Sequence, residues 1–249
     1  MYKVKMTVVD ILGDESRYPC HFKYKIGDEF LWDGEEFIGR ICSAFIPLVM
    51  PHIMNLHAAG PRYVNPLYYS PFFYAPVSMH DEASKEADGL GFKNVLKTYA
   101  EPKYHMANLT TENAYKWPPH PERTIAKGMR ILCPDIRTAV AVTLEAFDIS
   151  DHGYDVPYFR RQMAILNKVL KKPGLATDKI LGEFSREEIE GIYPALSPIM
   201  VQALYEELEL MGYLEIKRGK AFVTAKGEKK FRNYKKGLTI GERKANRLE

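Results

Sequence analysis

The sequence predicts an α+β protein: an N-terminal α+β region built on antiparallel hairpins, then a small domain of helices around one hairpin. Two observations carry this. From Tyr2 to Val9 the chain alternates, with Tyr2, Val4, Met6 and Val8 on one face and Lys3, Lys5 and Thr7 on the other, the period of a half-buried strand. Between Leu196 and Phe231 the order is a capped helix, a glycine stop, two short β-runs across a Lys-Arg-Gly-Lys turn, and a second helix.

Further elements follow in order. Residues 13–17 are a polar loop. Lys25-Ile-Gly-Asp-Glu-Phe30 turns into a second strand, Glu29 to Trp32, and Asp33-Gly34 is a hairpin signal returning through Phe37-Ile38. Residues 41–57 read as a helix entered or interrupted at Pro47 and Pro51. Residues 61–76 carry four prolines spaced five apart and six aromatic rings, which forbids a regular helix or central strand and predicts an extended, ring-rich loop. A short amphipathic helix is expected around Phe92 to Tyr99, and residues 101–123 read as irregular. Asp135 caps a segment to Phe147 whose Val and Thr content leaves helix and strand both open. Asp155 and Pro157 open a helix, Tyr158 to Lys171, ending before Pro173-Gly174.

That Pro-Gly is the expected domain boundary. Beyond it Thr177-Asp178 caps a first helix, Ser185-Arg-Glu-Glu188 is a capping box opening a second, and Ser197-Pro198 starts a third that Gly212 closes. Ile199, Ala203, Leu204, Leu208 and Met211 are the expected core face of the third helix, with Leu214, Ile216, Phe222 and Val223 in the hairpin. The division is then 1–172 (a compact 1–60 and loops over 61–123), 173–236, and a basic tail over 237–249.

Three cysteines do not make a disulfide framework, no apolar run reaches the length of a membrane span, and the N-terminus has no signal-like hydrophobic stretch. A cytoplasmic protein with no membrane partner is expected. The net charge of +3 conceals an asymmetry: residues 217–249 hold 12 Lys or Arg against 3 Glu, while residues 1–216 carry 23 basic and 29 acidic side chains. A basic end on an acidic body points to a polyanion partner or to a solvated terminal helix.

The helix, hairpin and helix of the C-terminal region, with Leu204, Leu208-Glu209, Gly212-Tyr213-Leu214 and Thr224-Ala-Lys-Gly227, resemble the winged helix-turn-helix of MarR- and PadR-type repressors over roughly residues 175–236. The resemblance implies a third helix in the major groove and a wing on the phosphate backbone. Ser197, Gln202, Lys217, Arg218 and Lys220 then become the nucleic-acid candidates, Tyr205 offers a further hydroxyl, and Lys226, Lys229, Lys230 and Arg232 extend the basic surface. Where such repressors often carry Ser, Thr or Arg, this helix has Met200, Val201 and Gln202, and it also bears Glu206, Glu207 and Glu209, which repel phosphates. Residues 18–60, with Cys20, Gly27-Asp-Glu-Phe30, Gly39 and Cys42 before an apolar helix, resemble a small uncharacterised prokaryotic family; Ala58-Ala59-Gly60 departs in part from its glycines. That likeness implies a compact α+β fold and no activity.

Candidate sites in the N-terminal region are few. Arg62, Tyr63, Tyr68, Tyr69, Phe73 and Tyr74 are the ligand-binding candidates, because so short a segment cannot bury all its rings; an arm on a second copy, or a cover for the core, reads the same residues equally well. Cys20 and Cys42 with His52 and His57 are candidate redox or metal residues, thiolate and imidazole suiting zinc, although buried cysteines are commonly mere packing. His80, His105 and His152 are the acid–base candidates, the last beside Asp151. No phosphate-cradling glycine loop, nucleophile elbow or His-Glu-x-x-His is present. Three functions stay open: a ligand- or redox-responsive regulator with a DNA-binding winged helix, an enzyme on a small and aromatic or polar organic substrate, or a non-catalytic assembly subunit. The expected partners are a small-molecule ligand or substrate, DNA, and a second copy of the chain in a homo-oligomer; no cofactor follows from the sequence.

Overall fold

The computed structural model describes residues 1–13, 15–62, 129–135 and 138–248. The chain divides into two compact units. One comprises Val4–Trp32 and Glu36–Ala146; the other gathers Met1–Lys3, Asp33–Glu35 and Phe147–Glu249. That division falls at Phe147, upstream of the Pro173-Gly174 turn.

The first unit is organised by a five-stranded sheet in the order β3-β2-β1-β5-β4. Strand β1 (Tyr2–Gly13) pairs antiparallel with β2 (Glu29–Trp32), Met6 opposite Phe30, and β2 pairs with β3 (Phe37–Ile38), Trp32 opposite Phe37. The alternation in β1 has its expected consequence: Val4, Met6, Val8 and Leu12 are buried in one cluster. The Asp33-Gly34 hairpin forms, and the Asp33 carboxylate accepts the Glu35 N–H at 2.8 Å. Helix α1 (Ile46–Ala59) is entered at Pro47, where a missing N–H costs nothing, and continues through the exposed Pro51. It buries Val49, Ile53 and Leu56 against the sheet cluster.

The segment the sequence left open between helix and strand is a strand. β5 (Thr138–Ile149) pairs antiparallel with β4 (Met129–Leu132), Val142 opposite Ile131. Ala139 to Val142 are buried consecutively, the mark of a strand covered on both faces.

The second unit is built around α2 (Val156–Lys171), which packs on α4 (Pro198–Leu210), on α5 (Ala225–Gly237) and on strand β8 (Lys220–Val223). A three-stranded sheet has the order β6-β8-β7, with β6 at Leu175–Ala176 and β7 at Leu214–Lys217. The capping box expected at Ser185 opens α3 (Arg186–Glu190): the Ser185 hydroxyl accepts from Glu188 N while the Glu188 carboxylate accepts from Ser185 N. A second capping box, Thr239 with Glu242, opens α6 (Ile240–Ala245).

Two expectations fail here. The helix capped by Thr177-Asp178 is instead a pair of 3-10 turns, Thr177–Lys179 and Leu181–Glu183. Gly182 and the short span before Ser185 leave no room for an α-helix to repay its nucleation. The core face of α4 is Val201, Leu204 and Leu208, continued by Met211; Ile199 is 81% exposed and Ala203 is exposed. Ile199 and Ala203 do share a helical face, but at 100° per residue it is not the face centred on Leu204.

Candidate nucleic-acid interface

The interface implied by the sequence has two parts, the outer face of α4 and the β7–β8 turn. Ser197 caps α4, its hydroxyl accepting from Met200 N at 3.2 Å. Gln202 is exposed and donates to Glu206 at 2.9 Å, so both side chains are engaged with each other. Glu207 is turned inward, accepting from Gln162 Nε2 at 2.6 Å and lying 3.3 Å from the N-terminal ammonium. Of the three glutamates, Glu206 and Glu209 are left toward solvent, together with Ile199, Ala203 and Leu210. The outer face of α4 is therefore apolar and acidic, with Ser197 and Gln202 as its polar donors.

The β7–β8 turn is different. Lys217 pairs with Lys220 in the register, and the two residues between them, Arg218 at φ +51° and Gly219 at φ +72°, are both left-handed. Two left-handed residues are what a two-residue hairpin turn needs to match the strand twist, which is why a glycine follows the arginine. Lys217, Arg218 and Lys220 are all exposed. Lys217 lies 2.8 Å from Glu215, an ion pair open to water and weak for that reason. Among the described residues Arg218 and Lys220 have no carboxylate partner.

The base of this hairpin is locked by polar contacts. Thr224 caps α5, accepting from Gly227 N at 3.1 Å while its hydroxyl donates to Gly212 O at 2.7 Å. A Cβ on Gly227 would overlap the Tyr213 carbonyl and sit 2.9 Å from Val223 Cγ1, so only glycine lets α5 approach the strand start. The Tyr213 hydroxyl donates to Asp148, which also takes Lys230 at 2.7 Å. Burial and that carboxylate raise the Tyr213 phenol far above its usual range. Lys226 and Lys230 lie 4.7 and 5.8 Å over the Tyr213 ring, and Lys226 donates to Met211 O at 2.7 Å. Lys230 is thus structural rather than an extension of the basic surface, while Lys226 makes its contacts from an exposed position. Arg232 is paired with Glu228 at 2.8 Å, one helical turn away. Lys229 stays exposed.

The turn between α3 and α4 is set by a residue the sequence did not single out. Arg161 of α2 is 2% exposed, and its guanidinium donates to four carbonyls: Pro194 O at 2.8 Å, Glu188 O at 2.6 Å, Ile189 O at 3.3 Å, and Ile192 O. Burial lowers its pKa. Glu188, also buried, faces Lys168 at 2.9 Å. Burial alone would raise its carboxyl, but the Ser185 N–H and Lys168 outweigh burial and hold it below the usual carboxylate range.

The other candidates are scattered. His152 Nδ1 lies 2.8 Å from Asp151 and 3.7 Å from the buried Asp33. Asp151 is in turn paired with Lys3, which outweighs burial and holds its carboxyl low. The neighbouring Ser150 hydroxyl is buried and donates to Asp33 O, so it is not a nucleophile for that imidazole. His57 is buried edge-on to Trp32, with ring centroids 6.4 Å apart, and His52 is half-buried with its pKa lowered by desolvation. Cys20 and Cys42 are free thiols, and among the described residues no three His, Cys, Asp or Glu side chains gather as a metal site, so the Cys20, Cys42, His52 and His57 set does not assemble. Cys133, buried, accepts from Val140 N at 3.1 Å, and desolvation pushes its thiol up to about 11. Tyr63, Tyr68, Tyr69, Phe73, Tyr74, His80 and His105, and the side chain of Arg62, lie outside the described residues, as does the helix expected at Phe92 to Tyr99. Among the described residues no helix is long and apolar enough to cross a membrane.

Compared with protein-family models, with curated proteins and with solved structures, the chain matches none.

Proposed function

We propose that residues 147–248 form a winged-helix domain that grips the nucleic-acid backbone through its wing, as the output half of a ligand- or redox-responsive regulator. The observation that carries this is the β7–β8 turn. It projects Lys217, Arg218 and Lys220 into solvent from a hairpin whose base is locked by Thr224, Gly227 and Tyr213. A cation held on a rigid element loses little entropy on meeting a phosphate, and such contacts give affinity without sequence information. The helix order, the β6-β8-β7 sheet and the Arg161 clamp at the α3–α4 turn support the winged-helix reading.

The outer face of α4 limits specificity. With Ile199, Ala203, Glu206 and Glu209 presented outward, only Ser197, Gln202 and the half-buried Tyr205 are left to read a base edge. The binding is therefore dominated by phosphate contacts and weakly selective. Random duplex DNA tests it: affinity falls steeply with salt, and reversing Lys217, Arg218 and Lys220 to Glu abolishes it. Unchanged affinity in that variant would sink the reading. The sensing role rests on the ring-rich 61–76 segment of the sequence.

A second reading draws on the same helix. Ile199 at 81% exposure, next to Ala203 and Leu210, favours α4 as a protein-docking face in a non-catalytic assembly subunit. Mutating Ile199 to Lys leaves duplex affinity unchanged or raised under the first reading, and dissociates an oligomer under the second.

A further inference from the structure

Away from the hairpin turn, α5, α6 and the end of α2 enclose an open cleft of about 400 Å³. Its floor is apolar, formed by Leu170 and the buried Phe231. Its rim is cationic, with Arg232, Lys235, Lys236 and Arg243 against the single carboxylate of Glu228. Glu228 is engaged by Arg232 at 2.8 Å, which leaves Lys235, Lys236 and Arg243 without an ion-pair partner among the described residues.

Arg243 makes the arrangement more than a solvated basic face. Its Nε is buried and has no hydrogen-bond acceptor. The carboxylate beside it in sequence, Glu242, is committed to the α6 cap, accepting from Thr239 N and from the Thr239 hydroxyl at 2.8 Å each. Arg243 as a whole is half-buried and lines the cleft, and a planar guanidinium is matched to a carboxylate or phosphate.

We propose that this cleft binds a small amphipathic anion, an aryl or acyl group bearing a phosphate or carboxylate. The apolar part covers Leu170 and Phe231, and the anionic head meets Arg243 with Lys235 and Lys236. A cleft of this size suits a ligand of one or two rings. The site does not depend on the wing binding nucleic acid, since it uses none of Lys217, Arg218 or Lys220.

The test is calorimetric titration of the full chain with 1-naphthyl phosphate. One site per chain is expected, with 1-naphthol and inorganic phosphate each weaker by about tenfold or more, because each offers only half of the contact. Arg243→Gln and Lys236→Gln are each expected to weaken binding about fivefold or more. Lys236 is exposed, so its substitution leaves the fold intact. Absence of saturation up to about 1 mM overturns the proposal. So does binding unchanged in both variants, or inorganic phosphate binding as tightly as the aryl phosphate. Displacement by duplex DNA, with the cleft variants losing affinity for both, also overturns it and assigns the cleft to a nucleic-acid track. The Lys217, Arg218 and Lys220 reversal leaves naphthyl phosphate binding unchanged, which separates failure of the cleft from failure of the wing.

Discussion

Arg161 and Arg218 are the same side chain put to opposite uses within one unit. Arg161 is buried, and its guanidinium is consumed by four backbone carbonyls that end α3 and shape the turn into α4. Arg218 stands at the tip of a two-residue turn, exposed and without a carboxylate partner among the described residues. The lesson is that a positive charge marks a binding surface only where its own protein leaves its donors unused. Lys230, half-buried and paired with Asp148 beside Tyr213, stands with Arg161.

The sharpest way to break that contrast is to remove each arginine. Arg161→Ala should cost about 3–5 kcal/mol, because it strips the donors from buried carbonyls, and urea unfolding would read the loss. Arg218→Ala should change stability by no more than about 0.5 kcal/mol while weakening duplex binding. If the two variants unfold alike, the distinction is wrong.

Gly227→Ala comes next. Its methyl group would overlap the Tyr213 carbonyl, and about 3 kcal/mol of destabilisation is expected, visible as a lowered Tm. A Tm equal to the parent's would mean that α5 can move off the strand start, and the base of the β7–β8 hairpin would not be rigid.

A smaller effect belongs to Glu188. Its carboxyl is held below the usual range, so its stabilisation is fully present above the unfolded-state value of about 4.3 and is lost as pH falls through the lower, folded-state value. Glu188→Gln should therefore be less stable than the parent by about 1 kcal/mol at pH 6, and the gap should close on acidification below pH of about 4. Parallel stability curves over that range would show that the charge is not what Ser185 and Lys168 hold.

What was legible in the sequence is what is local. The alternation of Tyr2 to Val8, the Ser185 capping box, the Pro47 and Pro157 helix starts and the Arg218-Gly219 turn each depend on residues a few positions apart, and each is present. What was hidden depends on distance along the chain. Arg161 meets carbonyls 27 to 33 residues later, and no periodicity marks that. Gly227 is required by a carbonyl 14 residues earlier. Ile199 differs in kind: α4 carries apolar residues on two faces, and the one holding Ile199 is exposed while the one holding Val201, Leu204 and Leu208 is buried. For the candidate interface, the cations of the β7–β8 turn are legible because a hairpin tip must be exposed, whereas the loss of Lys230 to Asp148, 82 residues away, is not.

In the proposed reading the β7–β8 turn, and not α4, carries the affinity for a polyanion. Equilibrium binding of the full chain to random duplex DNA at about 50 and 200 mM salt tests it directly. Three phosphate contacts predict a drop of about 40-fold between the two, and loss of binding when Lys217, Arg218 and Lys220 are reversed to Glu. Absence of binding at the lower salt, or an affinity untouched by the reversal, would contradict it.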